Sequence, residues 1–218
     1  MSDKSNKYGY VGVDIPAQSF GANKGVFNPA EINELVADNK WTQYGQLELI
    51  QTQEVTSSTA ALDFTSIEES TYNVHFMTFT KFKPIVDGNV LQLQFSTNGG
   101  SSFSTSGYHY AFESGRSTGS FFDNNSTSFA GIRVNGNQGT ASNENSNGYI
   151  YFYNLGDSSK HSFVTSHNMS WTRTPEAEFW LGGGVDPNAQ TVNAIRLVGN
   201  TGNIDTVIAS LYGIKEYS

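Results

Sequence analysis

The residues of this chain best suited to chemistry are scattered. Gly115-Arg116-Ser117-Thr118-Gly119 fits the Gly-x-Ser-x-Gly spacing of a serine hydrolase. In that elbow the serine stands on a sharp turn between a strand and a helix, beside oxyanion donors. Here Phe121-Phe122-Asp123-Asn124-Asn125 follows, which is no helix start, so the segment reads as a polar loop. Of the four histidines, His161 and His167 share one strand face but stand about 20 Å apart, too far to hold one metal ion. His75 and His109 lie in aromatic strands and read as hydrogen-bonded core or interface residues. The carboxylates Asp87, Asp123, Glu144, Asp157, Asp186 and Asp205 come singly. None has the spacing of a calcium loop, and most sit where an Asp side chain bonds its own turn. With no cysteine in the chain, neither a disulfide framework nor a thiolate metal site is available. No catalytic, metal or cofactor residue is therefore assigned. Tyr108, Tyr110, Trp171 and Trp180 are the candidates for stacking on a ligand, weighed against burial in the core or in a subunit interface.

The elements that must position such rings are strands. The 218 residues include 15 Phe, 11 Tyr and 3 Trp but only 15% charged residues. That suits many short strands joined by polar turns better than a helical bundle. The net charge of −8 leaves no basic stripe to neutralise phosphates, so neither nucleic acid nor an anionic lipid surface is an expected partner. No run of 18 apolar residues predicts a membrane span. Residues 1–10 carry basic residues but no apolar stretch behind them, so no export signal is expected.

Two regions are expected. Residues 1–44 form an arm that is Gly-punctuated up to Gly25 and then opens a helix. Asn28 serves as cap, Pro29 takes the first helical position, and Glu31 lies three residues after the cap. Ile32, Leu35 and Val36 follow at helical spacing, predicting two to three turns over residues 29–38. So short a helix is unstable alone, and Phe27, Ile32, Leu35, Val36 and Trp41 are read as its anchoring, partner-binding residues. Residues 45–218 alternate with a period of two. Strands are predicted over residues 47–53, 60–64, 72–82, 90–96, 108–113, 129–134, 149–154, 161–167, 178–181, 192–198 and 207–215. This pattern predicts an all-β, two-sheet antiparallel sandwich, jelly-roll-like, behind the arm and its short helix. The segments 98–107 and 135–148 read as mobile surface loops.

Several segments carry a resemblance. "GVFNPAEINELVADNKW" (25–41) resembles a segment near the start of many phage fibre and virion proteins. "QLELIQTQEV" (46–55) and "ESTYNVHFMTF" (69–79) resemble the opening strands of a structural protein family of marine tailed phages. "GYIYFYNLGDSSKHSFVTSH" (148–167) resembles that family's central hairpin, with residues 154–160 as its turn, and "IASLYGIKEYS" (208–218) its closing strand. The resemblance implies a non-enzymatic virion component assembled in the host cytoplasm: a tail-fibre or spike-type subunit, or a head fibre or capsid decoration protein. It also implies a homotrimer, docked on other virion proteins through residues 1–44. The displayed domain would recognise a host-surface glycan or protein. An alternative of another class is a carbohydrate-binding or carbohydrate-active domain, with two carboxylates across a groove and aromatics beside them.

Overall fold

The structure, a computed structural model, describes residues 27, 29–37 and 46–216. The cap Asn28, the anchor residue Trp41 and the rest of the arm lie outside the described residues. The chain divides into two units, Met1–Gly45 and Gln46–Ser218. In the first, α1 spans Pro29–Ala37, with Glu31 in its first turn, where a carboxylate favours the helix dipole. None of its residues is buried: Ile32 and Leu35 are half-buried, as is Phe27 ahead of the helix, and Val36 is exposed.

The second unit has twelve strands: β1 (Leu47–Val55), β2 (Ala61–Phe64), β3 (Val74–Pro84), β4 (Leu91–Ser96), β5 (Tyr108–Arg116), β6 (Phe121–Phe129), β7 (Ile132–Arg133), β8 (Ser146–Tyr153), β9 (His161–Trp171), β10 (Ala177–Ala189), β11 (Ala194–Gly199) and β12 (Ile204–Ile214). They form an eight-stranded sheet, β1-β12-β3-β8-β9-β10-β5-β6, and a four-stranded sheet, β2-β11-β4-β7. Every pairing is antiparallel, and four of them nest: β1 with β12, β2 with β11, β3 with β8, β4 with β7. Such nesting is a long hairpin rolled into two sheets, the jelly-roll arrangement. Two additional strand pairs, β5–β6 and β9–β10, join the β8 side and widen one sheet. The expected sandwich is therefore present.

Alternation along each strand sends one set of side chains between the sheets. Met77, Phe79 and Phe82 of β3, Ile150 and Phe152 of β8, and Val207, Ala209 and Leu211 of β12 meet Leu91, Leu93 and Phe95 of β4 and Ile195 and Leu197 of β11, all buried. Each large ring or aliphatic chain so enclosed contributes about 1.5–3 kcal/mol. Lys81 adopts a left-handed backbone (φ 57°) at an irregularity in both pairings of β3, and this lets both Phe79 and Phe82 point inward. The second sheet is tied at its edge by a two-pronged ion pair. Arg196 Nε and Nη2 donate to the Asp63 carboxylate at 2.6 and 2.8 Å, and the Phe103 ring lies 3.9 Å from the guanidinium. This geometry favours charged Arg196, whose pKa is raised by the Asp63 hydrogen bond.

Four sequence expectations are corrected. The expected loop at 115–119 is a tight turn leading into a strand, β6, where none was expected before residue 129. The strand expected over 129–134 is split, because β6 ends at Phe129 and β7 holds only two residues. The short strand expected over 178–181 is the first third of the 13-residue β10, which runs on through Gly182-Gly183-Gly184 and Pro187. The segment 135–148 is not a free surface loop. Asn135 and Gln138 are buried, Asn135 Oδ1 accepts from Leu91 N–H at 2.6 Å, and Gln138 Nε2 donates to the Trp171 carbonyl at 2.8 Å.

Candidate functional site

The Gly-x-Ser-x-Gly residues serve the β5–β6 turn. Gly119 takes a positive φ of 89°, and the Gly119 N–H closes the turn on the Arg116 carbonyl at 2.9 Å. Ser117 Oγ accepts from the Ala177 N–H. Arg116 bridges two glutamates, with Nη1 2.9 Å from Glu176 and Nε 3.0 Å from Glu178, and stacks over Phe122. Thr118 Oγ1 donates to Glu176 at 2.9 Å. The segment is a strand–turn–strand, so the strand-to-helix geometry of a nucleophile elbow is absent.

The four rings singled out from sequence separate. Tyr108, Tyr110 and Trp180 are buried between the sheets. Tyr108 Oη accepts from the Phe95 N–H at 2.7 Å, and burial pushes its hydroxyl up to about 12. Tyr110 packs edge-on against Phe129, and Trp180 lies between Phe112 and the Arg133 guanidinium. Only Trp171 is exposed, on the outer face of the large sheet. His75 is fully buried and its Nε2–H donates to the Ile67 carbonyl at 2.8 Å. His161 and His167 share the outer face of β9, as expected from their spacing. No group of three or more metal-ligating side chains converges among the described residues.

What sequence reasoning missed is that outer face. Phe76 on β3 stands directly between Tyr212 on β12 and Tyr151 on β8, and its ring lies 6.1 and 4.9 Å from theirs. Tyr151 stacks on Tyr153 at 6.3 Å, while Tyr149 meets His167 edge-on at 5.8 Å. Phe163, Met169 and Leu181 continue the apolar surface and are exposed. The period-two alternation of "GYIYFY" separates Tyr149, Tyr151 and Tyr153 from Ile150 and Phe152 and was the available signal.

Within this face the register makes a depression. One row of paired residues runs Thr165, Gly183, Ala111, Asn125 across β9, β10, β5 and β6. The next runs Tyr153, Phe163, Val185, His109 across β8, β9, β10 and β5. The two middle positions of the first row carry at most a methyl group, so the surface sinks between a wall on β8–β9 and a wall on β6. The resulting trough has a volume of about 710 Å³. Tyr153, Phe163 and Thr165 form one side, Asn125, Ser126 and Thr127 the other, over a floor of Gly183, Ala111 and Val185. Tyr153 Oη and Thr165 Oγ1 are hydrogen-bonded at 3.2 Å, which orients the tyrosine. Beside the trough, Glu113 and Asp123 face one another across the β5–β6 pairing and line a smaller hollow of about 310 Å³.

Fold and site together define a jelly-roll-like β-sandwich that presents an aromatic-walled trough on its larger sheet. No protein-family model matches the chain, and no curated protein matches it.

Proposed function

We propose that this chain is a structural component of a tailed-phage virion, a tail-fibre or spike-type subunit. Residues 1–44 would dock on neighbouring virion proteins, and the sandwich would be displayed for reversible attachment to a host surface. The observation that carries this reading is the outer face of the eight-stranded sheet. A broad set of rings there is exposed or half-buried and leads up to one wall of a trough, an arrangement suited to recognition. The segments resembling phage virion proteins, from residues 25–41 to 208–218, point the same way. Function by binding rather than turnover is supported by the structural role of Ser117. It is also supported by the placement of Glu113 and Asp123 side by side on one strand pair rather than on opposite walls of the trough.

A second reading, a carbohydrate-binding domain outside any virion, is favoured by the same trough. Gold-labelled antibodies raised against the sandwich and applied to particles purified from cells carrying this gene separate them. Label at the tail is the expected result. Label on the head would make the chain a head fibre or decoration protein. Unlabelled particles would overturn the virion reading and leave the carbohydrate-binding one.

A further inference from the structure

We infer that the trough between β9 and β6 binds a neutral glycan through a pyranose ring, an inference that rests on the attachment reading above and gives it a site. The two walls differ as the two aspects of a sugar differ. A pyranose presents C–H groups on its face, which pack on aromatic rings, and hydroxyls around its rim, which need donors and acceptors together. Phe163 is 45% exposed and stands with Tyr153 on one wall, supplying ring surface at little entropic cost. Asn125 and Thr127 on the opposite wall supply an amide and a hydroxyl, which both donate and accept. The floor of Gly183 and Ala111 leaves room for the ring between them.

Charge selects among glycans. No Lys, Arg, Asp or Glu lines the trough, His109 being its one basic side chain, so no guanidinium or ammonium stands ready to pair with a sialic or uronic acid. Glu113 and Asp123 stand in the adjoining hollow, and the chain carries a net −8. An anionic polysaccharide would meet repulsion without compensation, whereas a neutral one meets none. The volume falls within the range of small-molecule sites.

The test uses the full chain on an array of immobilised neutral oligosaccharides of hexoses and N-acetylhexosamines, printed beside sialylated and uronic-acid-containing ones. Binding to neutral glycans is expected, weakened about tenfold by Phe163→Ala, the loss of about one stacking contact. Ala111→Trp, which fills the trough from its floor, abolishes it, and Leu181→Ala, outside the trough, leaves it unchanged. All three positions are exposed, and a melting curve checks that each variant folds. Neutral binding that survives both trough variants overturns the assignment to this site. A preference for the acidic glycans overturns the charge argument. If no glycan is bound although the antibody labels the particle, the inference fails while the virion reading stands, and a protein receptor takes the glycan's place. If glycan binding is lost in the trough variants and the particles are unlabelled, the glycan site stands and the virion reading fails.

Discussion

At the scale of single residues, the same side-chain types serve opposite ends according to which face they reach. His75 is enclosed, with Nδ1 unpartnered and Tyr72 edge-on at 5.9 Å. Burial pushes its pKa below the ordinary 6.5, against a smaller opposing contribution from the Ile67 carbonyl. The unfolded chain therefore takes up the proton first as pH falls. The stability is present above the unfolded pKa and is lost as pH falls from there through the folded one. The melting temperature is expected to drop as pH falls below the ordinary histidine value of 6.5. His75→Gln keeps a donor for Ile67 but cannot titrate, and should flatten that slope; an unchanged slope would place its origin elsewhere. The sequence placed His75 in an aromatic strand as a hydrogen-bonded residue, and the structure agrees. It could not separate Tyr108 and Tyr110 from Tyr149 and Tyr153, because alternation distinguishes two faces without saying which is covered.

At the scale of elements, β10 shows why local signals fail. Three consecutive glycines weaken a strand by propensity and read as its end. In the sandwich they let β10 pass close to its neighbours. A Cβ on Gly182 would collide with the Ala111 carbonyl oxygen and come within 2.7 Å of Phe112 Cα, and one on Gly184 would meet Ile132 Cγ2 at 2.6 Å. Backbone cannot give way as a side-chain tip can. Gly182→Ala is therefore expected to cost about 1–3 kcal/mol, read as a lower urea midpoint with an unchanged slope. A neutral result would mean that β5 and β10 can separate. The missed β6 has the same kind of cause. Asp123, Asn124 and Asn125 are poor strand formers, yet β6 pairs with β5 over most of its length because the turn at Gly119 aligns the two.

At the scale of the whole molecule, the nested pairing brings residue 47 beside residue 214 and closes the sandwich on its last strand. Tyr72 Oη donates to Glu48 at 2.5 Å and Lys215 pairs with the same carboxylate, joining both ends of the fold. Lys215 first and Tyr72 second hold the Glu48 pKa low, while the Glu48 hydrogen bond pushes Tyr72 up to about 12. The units divide at Gly45, so a chain beginning at Gln46 is expected to retain the fold. For a fibre-type subunit, sedimentation equilibrium is expected to find a trimer both for that chain and for the full one. Monomers in both would weaken the fibre reading and favour a decoration or partner-dependent role.

The sequence by itself determined the β class, the short helix and most strand positions. Period-two alternation, turn residues and capping are local properties that act through neighbours in the chain. Tertiary structure alone decided that β5–β6 and β9–β10 widen one sheet, that the loop over 135–148 is packed in, and that Thr165, Gly183, Ala111 and Asn125 form one row. Those residues are brought together from four separate strands. Only the strand order and register of a folded sheet, set by burial of the opposite face, can align them into a trough.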